Sequence, residues 1–310
     1  RLNALAAATG GSQGSGPDGG FLVPPTFATT IYDGIADDPL DLLGRTDQYP
    51  VEGESLTMPR NAETSRTGGI LFGGVVANWI AEAQQIDASK PTFTRMRLEP
   101  QELAVLIYET DKLLRNSPLA LEAYLGKAAA AAIGFKVNEA IIRGTGAGQP
   151  LGLLNSSGLI TVAKTASQDE DTVWYDNIAQ MWARMPANRR SKAVWLINQD
   201  VEPTLLQMAF DPAATAGMVP VYMPANNATG LPYATLHGRP VLPSEHCTTV
   251  GDPGDIIFAD LSAYATGLKA GGGVRVAQSM HLRFDFAETA FRFMFDTLST
   301  HLTVAVRAGS

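Results

Sequence analysis

The side chains that could do chemistry are few, and their spacing serves none of the familiar reactions. Four histidines, His237, His246, His281 and His301, share no ligand spacing, and no HExxH pair occurs. A zinc centre would have to recruit scattered carboxylates. His246 and Cys247 are adjacent, but a Cys-His nucleophile pair is set by the fold, not by adjacency. Gly10 to Gly14 matches GxSxG around Ser12. A nucleophile elbow needs a strand before it and a helix after it, and the sequence offers neither. There is no GxxxxGK(S/T) phosphate loop. The glycines from Gly144 to Gly152 follow a helix, whereas a dinucleotide loop opens one. Glu109 and Asp111 read as solvated, or as partners of Arg115 across helical spacing. No catalytic, cofactor-binding or metal residue is assigned, no cofactor is expected, and the chain is not expected to be an enzyme.

Composition narrows the class further. With 45% hydrophobic residues in 310, the chain can bury a sizeable core. A net charge of -8 argues against sequence-independent DNA binding, which needs a basic surface to displace counterions. Cys247 is the single cysteine, so an intrachain disulfide is impossible and a reducing compartment is expected. The longest uncharged helical run, Ala128 to Phe135, is too short to span a bilayer, so no membrane contact is expected. The start, RLNALAAATGG, has a feeble apolar core and is not read as a signal peptide.

What the sequence does specify is a set of elements. Ser117 and Pro118 suit a helix N-cap and first helical position, and Gly144 after Arg143 suits its end. A helix over 118–143 would run about 39 Å at 1.5 Å per residue. Leu121, Leu125, Ala128, Ala132 and Phe135 fall on one stripe, with Leu119 and Ile133 beside it, and the Ala128–Ala132 run implies close packing. Residues 1–20 carry few large side chains and are expected to form an arm. A helix is expected over Phe27–Leu43, broken near Asp38-Pro39. Glu54–Pro59 and Phe93–Leu98 alternate as strands and flank a glycine-rich tip at Gly68–Gly74. Such an extended hairpin is barely stable alone and should lie on another subunit. Further along, Val173, Ile178, Met181, Trp182 and Met185 fall at helical spacing. Ala193–Asn198, Gly238–Ser244 and Gly254–Asp260 read as strands, a short helix reaches Phe210, and Asp211–Tyr233 has turn composition. Val274–Val306 reads as mostly β.

These landmarks, in this order, resemble the major capsid proteins of tailed bacteriophages with the HK97-type fold. The likeness rests on Gly20-Phe-Leu-Val-Pro-Pro25, on Trp79-Ile-Ala-Glu82 followed by Phe93, and on the GxGxGxPxG loop of Gly144, Gly146, Gly148, Pro150 and Gly152 before Leu153-Leu154. It extends to the Gly238 and Gly254 strands. Ala83 and Ala259 stand where the family usually has glycine.

The resemblance implies an α+β, HK97-like capsid fold. Its parts would be an N-terminal arm and first helix (1–50), an extended β-hairpin loop (51–100), a peripheral domain with a long spine helix (101–154 and 275–310), and an axial domain (155–274). It implies self-assembly, as pentamers and hexamers, into an icosahedral shell around double-stranded DNA without sequence-specific binding. A portal protein and decoration proteins are the implied partners. The implied location is the virion, after assembly in the host cytoplasm. A chain without an initiating Met fits the family's proteolytic maturation. An encapsulin-like compartment, or a soluble α/β enzyme with an unrecognised site, is the alternative. The name-giving member cross-links itself through an extension-loop lysine and a neighbour's asparagine. Here Asp87 falls close to the lysine position, Lys90 is the arm's only lysine, and Gly251–Ser310 contains no asparagine. Autocatalytic cross-links are therefore not expected, and an aspartate acceptor such as Asp285 or Asp296 is not favoured.

Overall fold

The structure is a computed structural model that describes residues 40–61, 70–82, 84–116, 121–166, 168–208, 221–224, 234–270, 274–302 and 305–308. Ser12, most of the expected Phe27–Leu43 helix, the Ser117-Pro118 cap and most of Asp211–Tyr233 lie outside these residues. Of that expected helix the described residues Leu40–Leu42 are not helical, and Leu43 opens a 3-10 turn, Leu43–Arg45.

The centre of the molecule is a sheet buried on both faces. Strand β6 (Val194–Ile197) lies between β9 (Arg239–Pro243) and β10 (Ile256–Ala259). Every residue of β6 and β10 is buried, which is why both read as unbroken apolar runs. Side chains alternate across the sheet. Val194, Leu196, Ile257 and Ala259 face the core built on helix α2 (Leu121–Arg143). Trp195, Ile197, Ile256 and Phe258 face the core built on α3 (Tyr175–Arg184) and α4 (Glu202–Gln207). With β5 (Leu159–Val162), β7 (Tyr222–Met223), β8 (Thr235–Leu236) and β14 (Ala305–Ala308), the order is β5-β14-β10-β6-β9-β8-β7.

A second sheet has five strands. The long β13 (Glu288–Leu302) pairs antiparallel with β4 (Gln101–Thr110), β11 (Tyr264–Lys269) and β12 (Arg275–Arg283), and β1 (Asp47–Val51) runs parallel to β11. Strand β4 was not expected from the sequence. Its signal was there: Leu103, Val105 and Ile107 alternate, and all three pack on the α2 core. Helix α1 (Asp111–Asn116) follows directly, with Asp111 N donating to Ala287 O at 2.9 Å. A separate pair, β2 (Leu56–Asn61) and β3 (Phe93–Leu98), forms the expected hairpin in register Leu56↔Leu98 to Asn61↔Phe93.

Several expectations need correction. The last strand does not stay with 275–302. Residues Ala305–Ala308 pair with β5 and β10, inside the seven-stranded sheet, while Tyr264–Lys269, allotted to the axial part, belong to the five-stranded one. The buried stripe of α2 is Leu125, Ala129, Ile133, Val137 and Ile141, a repeat of four. Ala132 and Phe135 lie on the exposed side. Asp111 is not matched to the guanidinium of Arg115 through its carboxylate. Thr289 Oγ1 donates to Asp111 Oδ1 at 2.6 Å, and Arg115 Nε donates to the Asp111 backbone oxygen.

Candidate functional site

The adjacent pair that could suggest a nucleophile, His246 and Cys247, is buried. Cys247 is buried, and burial pushes its thiol up to about 12, so no thiolate forms near neutrality. Its neighbour His246 is also buried and meets the edge of Phe135 at 4.4 Å between ring centres. His281 lies exposed on β12. Among the described residues, no group of three or more His, Cys, Asp or Glu could hold a metal ion, and no helix is long and apolar enough to cross a membrane.

His237 sits in an aromatic ladder. Its ring stacks on Tyr175 at 5.7 Å and on Trp182 at 5.3 Å, and Trp182, Phe258 and Trp195 continue the stack. Its Nε2 is buried and meets no hydrogen-bond partner among the described residues. Burial lowers the His237 pKa below the ordinary value of 6.5. The folded state then favours the neutral ring, so this stability is present above about pH 6.5 and is lost as pH falls through and below that value. Asp255 works the other way, because burial raises its pKa and protonation favours the fold in a more acidic window. Thermal stability is expected to fall between about pH 7 and about pH 5. His237→Asn, which suits the left-handed backbone at φ 49, should flatten that slope. An unchanged slope in a melting series would contradict this.

The glycine loop is a lock on the end of α2. Gly144 does not need a positive φ, as a helix-ending glycine often does. It needs space: a Cβ there would lie 2.0 Å from Pro150 O and 2.5 Å from Ala140 O. Gly144 N closes the helix on Ala140 O at 2.9 Å, and Gly152 N donates to Gly144 O at 2.8 Å. Between them the chain reverses through Gly146 and Gly148, which do take positive φ. Asn155 finishes the end by donating Nδ2 to the carbonyls of Arg143, at 3.0 Å, and Gly144, at 2.9 Å. Sequence reasoning missed Asn155, since no local pattern marks an amide that caps a helix twelve residues back.

The surface carries what the interior lacks. The loop between β2 and β3 exposes Leu71, Phe72, Ile80 and Ile86, and Trp79 is 103% exposed. Its described hydrogen bonds are local, such as Leu71 N to Val75 O and Thr92 N to Gly73 O. A second apolar run, Val276, Met280, Leu282, Phe284 and Phe286, lies along β12 and the turn after it. Exposed apolar stretches of this extent mark association surfaces. Their arrangement suits a subunit that buries them on a neighbour.

Comparison with known proteins agrees. The profile described as the phage capsid family matches residues 19–297. The chain is similar to the capsid of an empty GTA particle, with 18% identity, a TM-score of 0.74 and 96% of this chain covering 98% of that one. It is similar to structures of Microbacterium phage Oxtober96 (15% identity, TM-score 0.64, covering 96% of this chain and 95% of that one) and Mycobacterium phage Bobi (15%, 0.62, 96% and 99%). A search of curated proteins returned no match. The fold is the α+β, HK97-like capsid fold. This chain belongs to the phage capsid family, whose class is structural.

Proposed function

We propose that this protein is the major subunit of an icosahedral virion shell, assembled as pentamers and hexamers around double-stranded DNA. In this proposal the subunit acts in a processed form, and a portal protein and decoration proteins join the shell. The five-stranded sheet and α2 would form the peripheral part, and the seven-stranded sheet the axial part. The observation that carries it is the arm, whose fully exposed Trp79 has no core of its own to enter. Trp is a common anchor of interfaces, and its burial on a second copy would stabilise the shell and not the monomer. Asp87 near the position of the cross-linking lysine and the lack of asparagine after Gly251 support a shell held without autocatalytic cross-links.

Electron microscopy of the purified protein tests this. Closed particles are expected from the parent chain. Trp79→Ser should leave the circular dichroism of the subunit unchanged and cut particle yield by about tenfold or more. Boiled parent particles should run as one band near 32.9 kDa. Monomers under every assembly condition would overturn the shell, and a ladder of covalent multimers would overturn the non-covalent design.

A further inference from the structure

Helix α3 and strand β6 run antiparallel, and their two ends carry opposite charge. At one end lie Asp169, Glu170, Asp171 and Asp176, with Asp252 and Asp255 beside them. Asp255 belongs to this end because its carbonyl accepts from Asn198 N, just past the close of β6, at 3.2 Å. Of these, Asp169, Glu170, Asp171 and Asp255 border a cleft of about 350 Å³, which Lys164 also lines. At the other end lie Arg184, Arg189, Arg190 and Lys192. Arg239 joins them, its Nε donating to Ala193 O, just before β6 begins, at 3.0 Å. Arg189 is matched by the buried Asp260 at 3.1 Å, and Arg190 is turned onto the Trp182 ring and the Met185 carbonyl. Arg184 and Lys192 remain exposed. Ten residues of helix separate the poles by about 15 Å.

We infer that neighbouring copies of this chain dock head to tail, the Arg184–Lys192 pole of one against the acidic cleft at Asp169–Asp171 and Asp255 of the next. This rests on the shell reading and names the contact that closes its rings. Two poles of opposite sign on one body exclude a two-fold contact through either pole, which would set like charge on like. They suit a heterologous contact, acidic on basic, which closes into a ring when the rotation permits. The size of the cleft suits an arginine or lysine side chain entering between the carboxylates.

Charge swaps test it. Arg184→Glu with Lys192→Glu should lower assembly by about tenfold or more at fixed concentration, and Asp169→Lys with Glu170→Lys should do the same. The chain carrying all four substitutions restores opposite poles and should assemble to within about twofold of the parent. All sites are exposed, so subunit melting should not move. If a swap unfolds the subunit, the neutral pair Arg184→Gln with Lys192→Gln and a salt series take its place. Parent assembly should weaken between about 0.05 and about 0.5 M salt, and that of the neutral pair should weaken less. Parent particles with unaffected swap variants, or a four-fold variant no better than either pair, would overturn the contact and leave the shell standing. A parent that never assembles would instead sink the shell.

Discussion

Ala129→Glu is expected to unfold the subunit or to lower its melting temperature by on the order of 10 °C, while Ala130→Glu, one residue on, leaves it nearly unchanged. Ala129 is 1% exposed and sits in the α2 core between Leu125 and Ile133. A carboxylate there has no cation within the core cluster, and burying it costs roughly 4 kcal/mol or more. Ala130 is exposed and borders an open apolar groove with Leu43, Gly134 and Phe295. A charge there keeps its water and costs within about 0.5 kcal/mol. The close packing expected of the Ala128–Ala132 run falls on Ala129 and not on Ala130. The helix turns the sensitivity onto its neighbour. Equal melting temperatures for the two variants would show that the α2 stripe is misassigned.

Gly152→Ala should cost roughly 1–3 kcal/mol, and more if the loop cannot move. The added Cβ would lie 2.4 Å from Gly144 N, 2.7 Å from Ile142 O and 2.8 Å from Arg143 N. All three are backbone atoms at the end of α2, where Ile141 and Ile142 are buried, so no side chain can swing aside. Gly148→Ala is the control. It meets nothing within 4 Å, and its strain comes only from a φ of +66. That costs roughly 1 kcal/mol. Hydrogen exchange at Ile141 and Ile142 should rise in the Gly152 variant and stay low in the Gly148 variant. The reverse order would mean that backbone conformation, and not close approach, fixes this loop.

These glycines also show how much the sequence could say. It marked the loop and the end of α2, because glycine and proline punctuate a chain locally. It placed Gly144 at the end of the helix, where the structure has it, but not the reason glycine is needed there, because close approach of two backbones is visible only once the loop folds back. The same limit explains the helix face. A run of alanines carries almost no hydrophobic contrast, so the stripe could be drawn through Ala128 and Ala132 as easily as through Ala129 and Ile133. Strands β6 and β10 were legible as buried apolar runs. The pairing of β14 was not, since a four-residue strand near other β sequence gives no hint of which sheet it enters. The apolar arm was legible from Trp79 and its glycine-rich tip. The charged poles of α3 were not, because they gather residues from three separated stretches.

The place of β14 has a consequence for synthesis. Ala305–Ala308 lies between β5, some 140 residues earlier in the chain, and β10, and separates them in the sheet. The ribosome must therefore pass residue 308 before that sheet can close, and contacts of such long sequence separation form late. Until then the acidic pole, carried on the loops around that sheet, has no fixed frame. On the head-to-tail contact proposed above, a chain still being translated would offer its neighbours no finished docking end.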